Sequence, residues 1–142
     1  MNYLLDTNIV SEWIKPQPQP SVVEWVARVD EDRVFLSVAS VAEIRRGIEL
    51  LDAGRRREQL ETWLENELLS RFGRRIIDLD LAVAHAWGQL MARAQKTGVG
   101  LSSMDAFIAA TALARGLTLV TRNVGDFEPL GVALLNPWDD CA

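Results

Sequence analysis

The sequence predicts an α/β fold: a central parallel sheet of four to five strands with helices on both faces, in three layers. Short apolar runs of strand length recur along the chain at Tyr3-Leu4-Leu5, Val34 to Val38, Ile76-Ile77, Leu117 to Thr121 and Val132 to Leu135. Helical periodicity fills most of the intervals between them, and parallel crossovers need helices, which they lay on the sheet faces. The third observation is length, since 142 residues suit one core and are too few for two. Residues 1–142 are therefore read as a single domain.

The elements follow in order. After the first strand, Asp6-Thr7-Asn8 supplies three helix-capping residues in a row, and a helix from Ile9 to Ile14 is expected. Pro16-Gln17-Pro18-Gln19-Pro20 is a stiff connector. Ser21 reads as the cap of the next helix, with Val22, Val23, Val26 and Val29 at helical spacing before the second strand. Val41, Ile44, Ile48 and Leu51 mark a long helix ended near Gly54, and Arg55 to Arg71 forms another, with Leu60, Trp63, Leu64 and Leu68 on one side. Leu81 to Lys96 is strongly amphipathic and stops at Gly98 and Gly100. Ser103 caps a helix from Met104 to Arg115 that Gly116 ends.

Composition narrows the chemistry. With 49% hydrophobic and 25% charged residues, the chain matches an ordinary globular protein. Met1 to Val10 carries no Lys or Arg, and Asp6 interrupts any signal-like apolar region; with no membrane-length apolar run, a cytoplasmic location is expected. The single cysteine, Cys141, excludes an intrachain disulfide and a Cys-based zinc cage, and one histidine, His85, excludes mechanisms that need a pair. Hydrolytic chemistry must then use carboxylates.

Ligands of such sheets bind beyond the carboxyl ends of the strands. There the sequence sets Asp6 directly after the first strand, Glu43 early in the helix after the second, Asp105 in the first turn of the helix before the fourth, and Asn123 and Asp126 after the fourth. Converging carboxylates without His, Cys or nearby Lys suit a hard cation such as Mg²⁺ or Mn²⁺. Each residue also has a plain alternative. Asp105 is the only charge between Leu101 and Ala114, so it either needs a cation or merely complements the helix dipole, an effect of about 0.3–1 kcal/mol. Taken alone, Glu43 reads more readily as an exposed helical Glu, and Asp6 also reads as a helix cap.

The net charge of −5 argues against a nucleic-acid partner, yet all but two of the 15 basic residues are arginine, the side chain suited to phosphate and base contact. Arg45, Arg46, Arg55, Arg56, Arg57, Arg71, Arg74 and Arg75 cluster around the two middle helices. They form either a phosphate-contacting surface or a solvated face paired with neighbouring Glu, Arg57 with Glu61 for example. His85 reads as helix packing, and the five tryptophans as core or interface anchors.

Four segments, LLDTNIVSEWIKP, SVASVAEIRRGIELL, SSMDAFIAATAL and LVTRNVGDFE, occur in this order, with Asn136-Pro137-Trp138 after them. Together they resemble the PIN-domain ribonucleases, and more narrowly the VapC and FitB-like toxins of bacterial toxin–antitoxin pairs, over nearly the whole chain. The resemblance implies a PIN-like fold and a Mg²⁺-dependent endoribonuclease, Mn²⁺ being an alternative, with RNA of the tRNA or ribosomal class as substrate. Asp6, Glu43 and Asp105 match the family's principal acidic residues and would hold the metal. The family's Thr-Arg-Asp reads here as Thr121-Arg122-Asn123, so Asp126 is expected as the outer catalytic carboxylate, with Asn123 able to orient a water or phosphate. Thr7 and Thr121 match supporting hydroxyls, and Arg45, Arg46 and Arg122 are candidate RNA contacts. One Mg²⁺ would acidify a water for in-line attack and a second would stabilise the leaving 3′ oxygen, leaving a 5′-phosphate and a 3′-hydroxyl. Two Mg²⁺ would also bring the formal charge from −5 to about −1.

The resemblance further implies a cognate antitoxin that wraps the toxin, a toxin homodimer, larger assemblies with the antitoxin, and no membrane partner. Trp13, Ile14, Trp63 and Leu64 are candidate contacts for these partners, or core residues. A receiver-type signalling domain would need a lysine after a late strand, and the only lysines are Lys15 and Lys96. A haloacid-type phosphatase would need Asp where Asn8 stands. The remaining alternative is a catalytically inactive PIN-fold module that binds RNA or assembles with partners, which Asn123 favours.

Overall fold

The computed structural model describes residues 1–139; Asp140 to Ala142, and with them Cys141, lie outside the described residues. Five parallel strands form one sheet: β1 (Tyr3–Leu5), β2 (Val34–Ser37), β3 (Ile76–Ile77), β4 (Thr118–Val120) and β5 (Leu134–Leu135), in the order β3-β2-β1-β4-β5. Leu5 lies opposite Leu36 on one side and Val120 on the other, so β1 and β4 end level and β2 runs one residue further. The chain moves outward from β1 toward β3, then returns to β4 on its other side. The strand order therefore reverses beside β1, where sheets of this kind open a crevice.

Because successive strand side chains face opposite ways, β1 feeds two cores. Leu4 and Leu119 pack on one face with Val83 and Leu90 of α6 (Leu81–Thr97) and Ile108 of α7 (Ser103–Arg115). Leu5, Leu36 and Val120 pack on the other. Their partners there come from α1 (Thr7–Trp13), α2 (Pro20–Arg28) and α3 (Val38–Glu49). These are the three expected layers. Gly98 and Gly116 end α6 and α7 in the left-handed region at φ 72° and 65°, a conformation that side-chain-bearing residues rarely adopt. Among the described residues no helix is long and apolar enough to cross a membrane.

Several local expectations change. Pro20 occupies the first turn of α2 and Gln19 precedes it, so Ser21 is not the cap, because proline's fixed φ already suits that turn. Ser102, not Ser103, caps α7: its Oγ accepts the Asp105 N–H at 3.1 Å. The long helix expected from Arg55 divides into α4 (Arg55–Thr62), a π-wound stretch from Trp63 to Leu68, and α5 (Leu69–Phe72). The wider winding still places Leu64 and Leu68 in the second core. Leu64 is only 1% exposed, so of the four candidate partner contacts it is a core residue. Trp13 instead lines an open groove with Trp25, Val26 and Arg71. His85 is exposed on α6 rather than packed.

Four of the eight clustered arginines, Arg45, Arg57, Arg71 and Arg75, are ion-paired. Arg57 meets Glu61 at 3.0 Å and also Glu49, Arg45 meets Glu65 at 2.9 Å and Glu49 at 3.7 Å, and Arg71 and Arg75 converge on Glu31. Arg71 and Arg75 hold the Glu31 carboxyl below its usual range, chiefly through the Arg71 hydrogen bond.

Candidate functional site

At the carboxyl ends of β1 and β4 a crevice is lined by Asp6, Thr7, Asn8, Ser11, Glu12, Lys15, Glu43, Asp105, Arg122, Asn123 and Trp138. Its floor is set by the chain leaving β1. The Asp6 N–H donates to the Val120 carbonyl at 2.9 Å, the last ladder bond to β4, and Asp6 then turns the chain into α1 as its N-cap. The carboxylate Oδ1 accepts the Thr7 N–H at 2.8 Å; Oδ2 accepts the Thr121 hydroxyl at 2.7 Å and the Asn8 amide at 3.2 Å. Asp6 is 4% exposed. Burial pushes its carboxyl up to about 6 against the lowering pull of those hydrogen bonds, and the charges of Asp105 and Glu43 add to the rise.

Thr7 ties the floor to α3. Its hydroxyl donates to Glu43 Oε1 at 2.7 Å and lies 3.1 Å from Ser40 Oγ, which is fully buried. Ser37, the last residue of β2, caps α3 by accepting the Ala39 N–H at 3.0 Å, and so starts the helix that carries Glu43 to the crevice. Asp105 arrives on the first turn of α7, half-buried. Thr121 lies beneath the lining, completely buried, and its Oγ also accepts the Asn123 N–H at 3.0 Å, which draws Asn123 to the crevice.

The residues expected in the site therefore divide. Asp6, Thr7, Glu43, Asp105, Arg122 and Asn123 line the crevice, with Thr121 buttressing Asp6. Asp126, expected as the outer carboxylate, does not line it: α8 (Val124–Phe127) begins directly after Asn123 and carries Asp126 exposed on its first turn. Arg45 and Arg46 also stand outside the lining, Arg45 in its ion pairs and Arg46 exposed.

Sequence reading missed Glu12, Lys15 and Trp138. Glu12 is 5% exposed, yet its carboxyl is held below the usual range, first by its hydrogen bond with Lys15 at 2.8 Å and then by the Gln19 N–H at 2.9 Å. The i,i+3 spacing of Glu12 and Lys15 was the available signal. Trp138 reaches the crevice because Asn136 turns the chain, its Oδ1 accepting the Trp138 N–H at 2.9 Å.

The acidic donors are all oxygen, but among the described residues no three His, Cys, Asp or Glu side chains form a ready metal cage. Such an arrangement fits Mg²⁺ better than a cation needing full protein ligation, because Mg²⁺ keeps several waters and commonly takes one or two carboxylates plus substrate phosphate.

The PIN domain family model matches residues 3–128. Toxin FitB of Neisseria gonorrhoeae is 40% identical over 137 residues, covering 96% of this chain and 99% of that protein. The VapC ribonuclease Y4jK of Sinorhizobium fredii is 36% identical, covering 96% and 97%. Among solved structures, FitAcB of Neisseria gonorrhoeae superposes with a TM-score of 0.91 at 39% identity, covering 96% of this chain and 99% of that one. The sheet order, the acidic crevice at its switch point and these matches agree: the chain belongs to the PIN-domain family.

Proposed function

We propose that this chain is the endoribonuclease toxin of a toxin–antitoxin pair, hydrolysing RNA phosphodiester bonds with a divalent metal held at Asp6, Glu43 and Asp105. The observation that carries the reading is Asp6, a buried carboxylate at the switch point whose nearest charged influences are two further carboxylates. The similarity to a protein named as a toxin and to one named as a VapC ribonuclease supports it.

A bound Mg²⁺ or Mn²⁺ would supply charge neutralisation for the phosphate and a water acidified toward hydroxide. The chain's own part is positional. Thr121 and the Thr7 N–H hold the two Asp6 oxygens in fixed directions, and the Thr7 hydroxyl does the same for one Glu43 oxygen. Asp105 completes the acidic wall from α7, and the Asn123 amide is available to orient a phosphate oxygen or the attacking water. Its position at the crevice makes Asn123, rather than Asp126, the fourth member of the proposed set. A cognate antitoxin and a toxin homodimer belong to the same proposal.

A second reading, an RNA-binding module without catalysis, is favoured by that same Asn123, which contributes no charge where the family pattern has Asp. Cleavage of purified tRNA and ribosomal RNA by wild type and Asp6→Asn, with Mg²⁺, Mn²⁺ or EDTA, separates them. Discrete metal-dependent fragments from wild type alone are expected. No cleavage, together with no metal-induced rise in melting temperature, would transfer the assignment to the binding module.

A further inference from the structure

Arg122 is the arginine that lines the acidic crevice. Arg45, Arg57, Arg71, Arg75 and Arg115 each lie within salt-bridge distance of a carboxylate, whereas Arg122 is within that distance of none among the described residues and acts on the Glu12 carboxylate only from farther off. Its guanidinium lies exposed over the Trp138 ring, 5.4 Å from the centroid, while Trp138 is half-buried against the second core, and both residues line the acidic crevice. The backbone around this pair is fixed: the Arg122 N–H donates to Asn8 Oδ1 at 3.4 Å, and the Asn136 side chain reaches the Arg122 carbonyl at 3.5 Å while accepting the Trp138 N–H. Lys15 also lines the crevice, its side chain 54% exposed and its ammonium held by Glu12. A planar cation on an indole makes a stacking surface, and that same guanidinium together with the Lys15 ammonium provides for phosphate.

We infer that Arg122, Trp138 and Lys15 form a nucleotide subsite for single-stranded RNA, with an unpaired base stacked on the Arg122–Trp138 pair and its phosphate drawn by Arg122 and Lys15. This rests on the nuclease reading for the identity of the strand. The subsite assigns the crevice a preference: a base inside a duplex has no free face to stack, so the strand entering beside Asp6 and Asp105 is unpaired there. Glu12 is a positioning residue in this arrangement, because it fixes Lys15 and ties down the following loop through the Gln19 N–H.

Binding of a fluorescein-labelled 12-nucleotide single-stranded RNA to the full chain in EDTA tests the subsite without requiring cleavage. Trp138→Ala is expected to weaken binding about tenfold and Trp138→Phe to stay within about threefold of wild type, since a phenyl ring still stacks. Arg122→Gln is expected to weaken binding and to lower its salt dependence. Photocrosslinking with 5-iodouridine RNA should label the peptide containing Trp138, and an RNA duplex should bind wild type and Trp138→Ala alike. Unchanged affinity in Trp138→Ala, equal losses in the Ala and Phe variants, or crosslinks confined to other peptides would overturn the subsite. Ring-dependent binding with neither cleavage nor a metal-induced rise in melting temperature in Mg²⁺ or Mn²⁺ would uphold the subsite while removing the nuclease reading.

Discussion

Helix α1 begins and nearly ends with a buried carboxylate, and the two titrate in opposite directions. Asp6 and Glu12 are almost equally hidden, at 4% and 5% exposure, yet Asp6 is pushed up to about 6 while Glu12 is held below the usual carboxylate range. In Glu12 the Lys15 ammonium and the Gln19 N–H outweigh burial; in Asp6 burial outweighs the hydrogen bonds from Thr121 and Thr7, and the negative charges of Asp105 and Glu43 add to the rise. Burial alone therefore does not mark a functional acid. A buried acid whose charge the protein leaves uncompensated does so better, because the imbalance costs stability unless something cationic arrives.

The comparison is tested most severely at Asp6. Asp6→Asn should reduce RNA cleavage by more than about a hundredfold, since even residues behind metal ligands commonly matter by about 10–100-fold. In EDTA the same variant should be more stable at pH 7.5 than wild type, by up to about 3 kcal/mol for two pK units. The sign follows from the raised value: the native state binds a proton more tightly than the unfolded chain. Stability from that proton is fully present below the ordinary value of 3.8 and lost as pH rises through about 6. Denaturant titrations at pH 4, 6 and 7.5 check this, and parallel curves for the two proteins would refute it.

Thr121→Val removes the donor to Asp6 Oδ2 while keeping side-chain volume. A fall of about 10–100-fold in cleavage rate is expected, with the metal concentration for half-maximal rate raised. Steady-state rates across a Mg²⁺ series would show it.

At Glu12 the expected effect is on stability. Glu12→Ala should destabilise by about 1–3 kcal/mol, because the Gln19 N–H and the Lys15 ammonium lose their acceptor. Here the linkage reverses. A lowered native value gives stability present above the ordinary value of 4.5 and lost as pH falls through the native one, so wild type and Glu12→Ala should converge in acid. Thermal melts from pH 3 to 7 measure the convergence.

The smallest effect is expected at Arg45. Arg45→Ala breaks surface pairs with Glu49 and Glu65, which are worth about 0–1 kcal/mol, and should leave cleavage of single-stranded RNA within about twofold of wild type. A tenfold loss would return the middle-helix arginines to the RNA surface.

Much of the crevice was legible beforehand because its main residues carry local signatures. Asp6 follows an apolar strand, Asp105 is the lone charge of an apolar stretch, and Thr7 and Thr121 flank those strand ends. Asp126 stands outside the lining for a geometric reason: counting residues after β4 cannot show that Thr121 Oγ accepts the Asn123 N–H and that α8 then starts, with Asp126 exposed on it. The π-wound stretch was equally hidden, since helical periodicity does not distinguish one winding from the other over six residues.

The order of apolar runs and helices by itself determined the α/β class, and the residue inventory determined the exclusion of an intrachain disulfide, a Cys-based zinc cage and paired-histidine mechanisms, and the acidic character of the strand ends. Those properties follow from local periodicity and residue inventory, which need no long-range contact. Tertiary structure alone decided that Asp6 faces Asp105 and Glu43, that Arg71 and Arg75 meet Glu31, and that Trp138 reaches back beside residues from the first helix. Charge balance and stacking depend on distances between segments more than a hundred residues apart, and the sheet order fixes those distances.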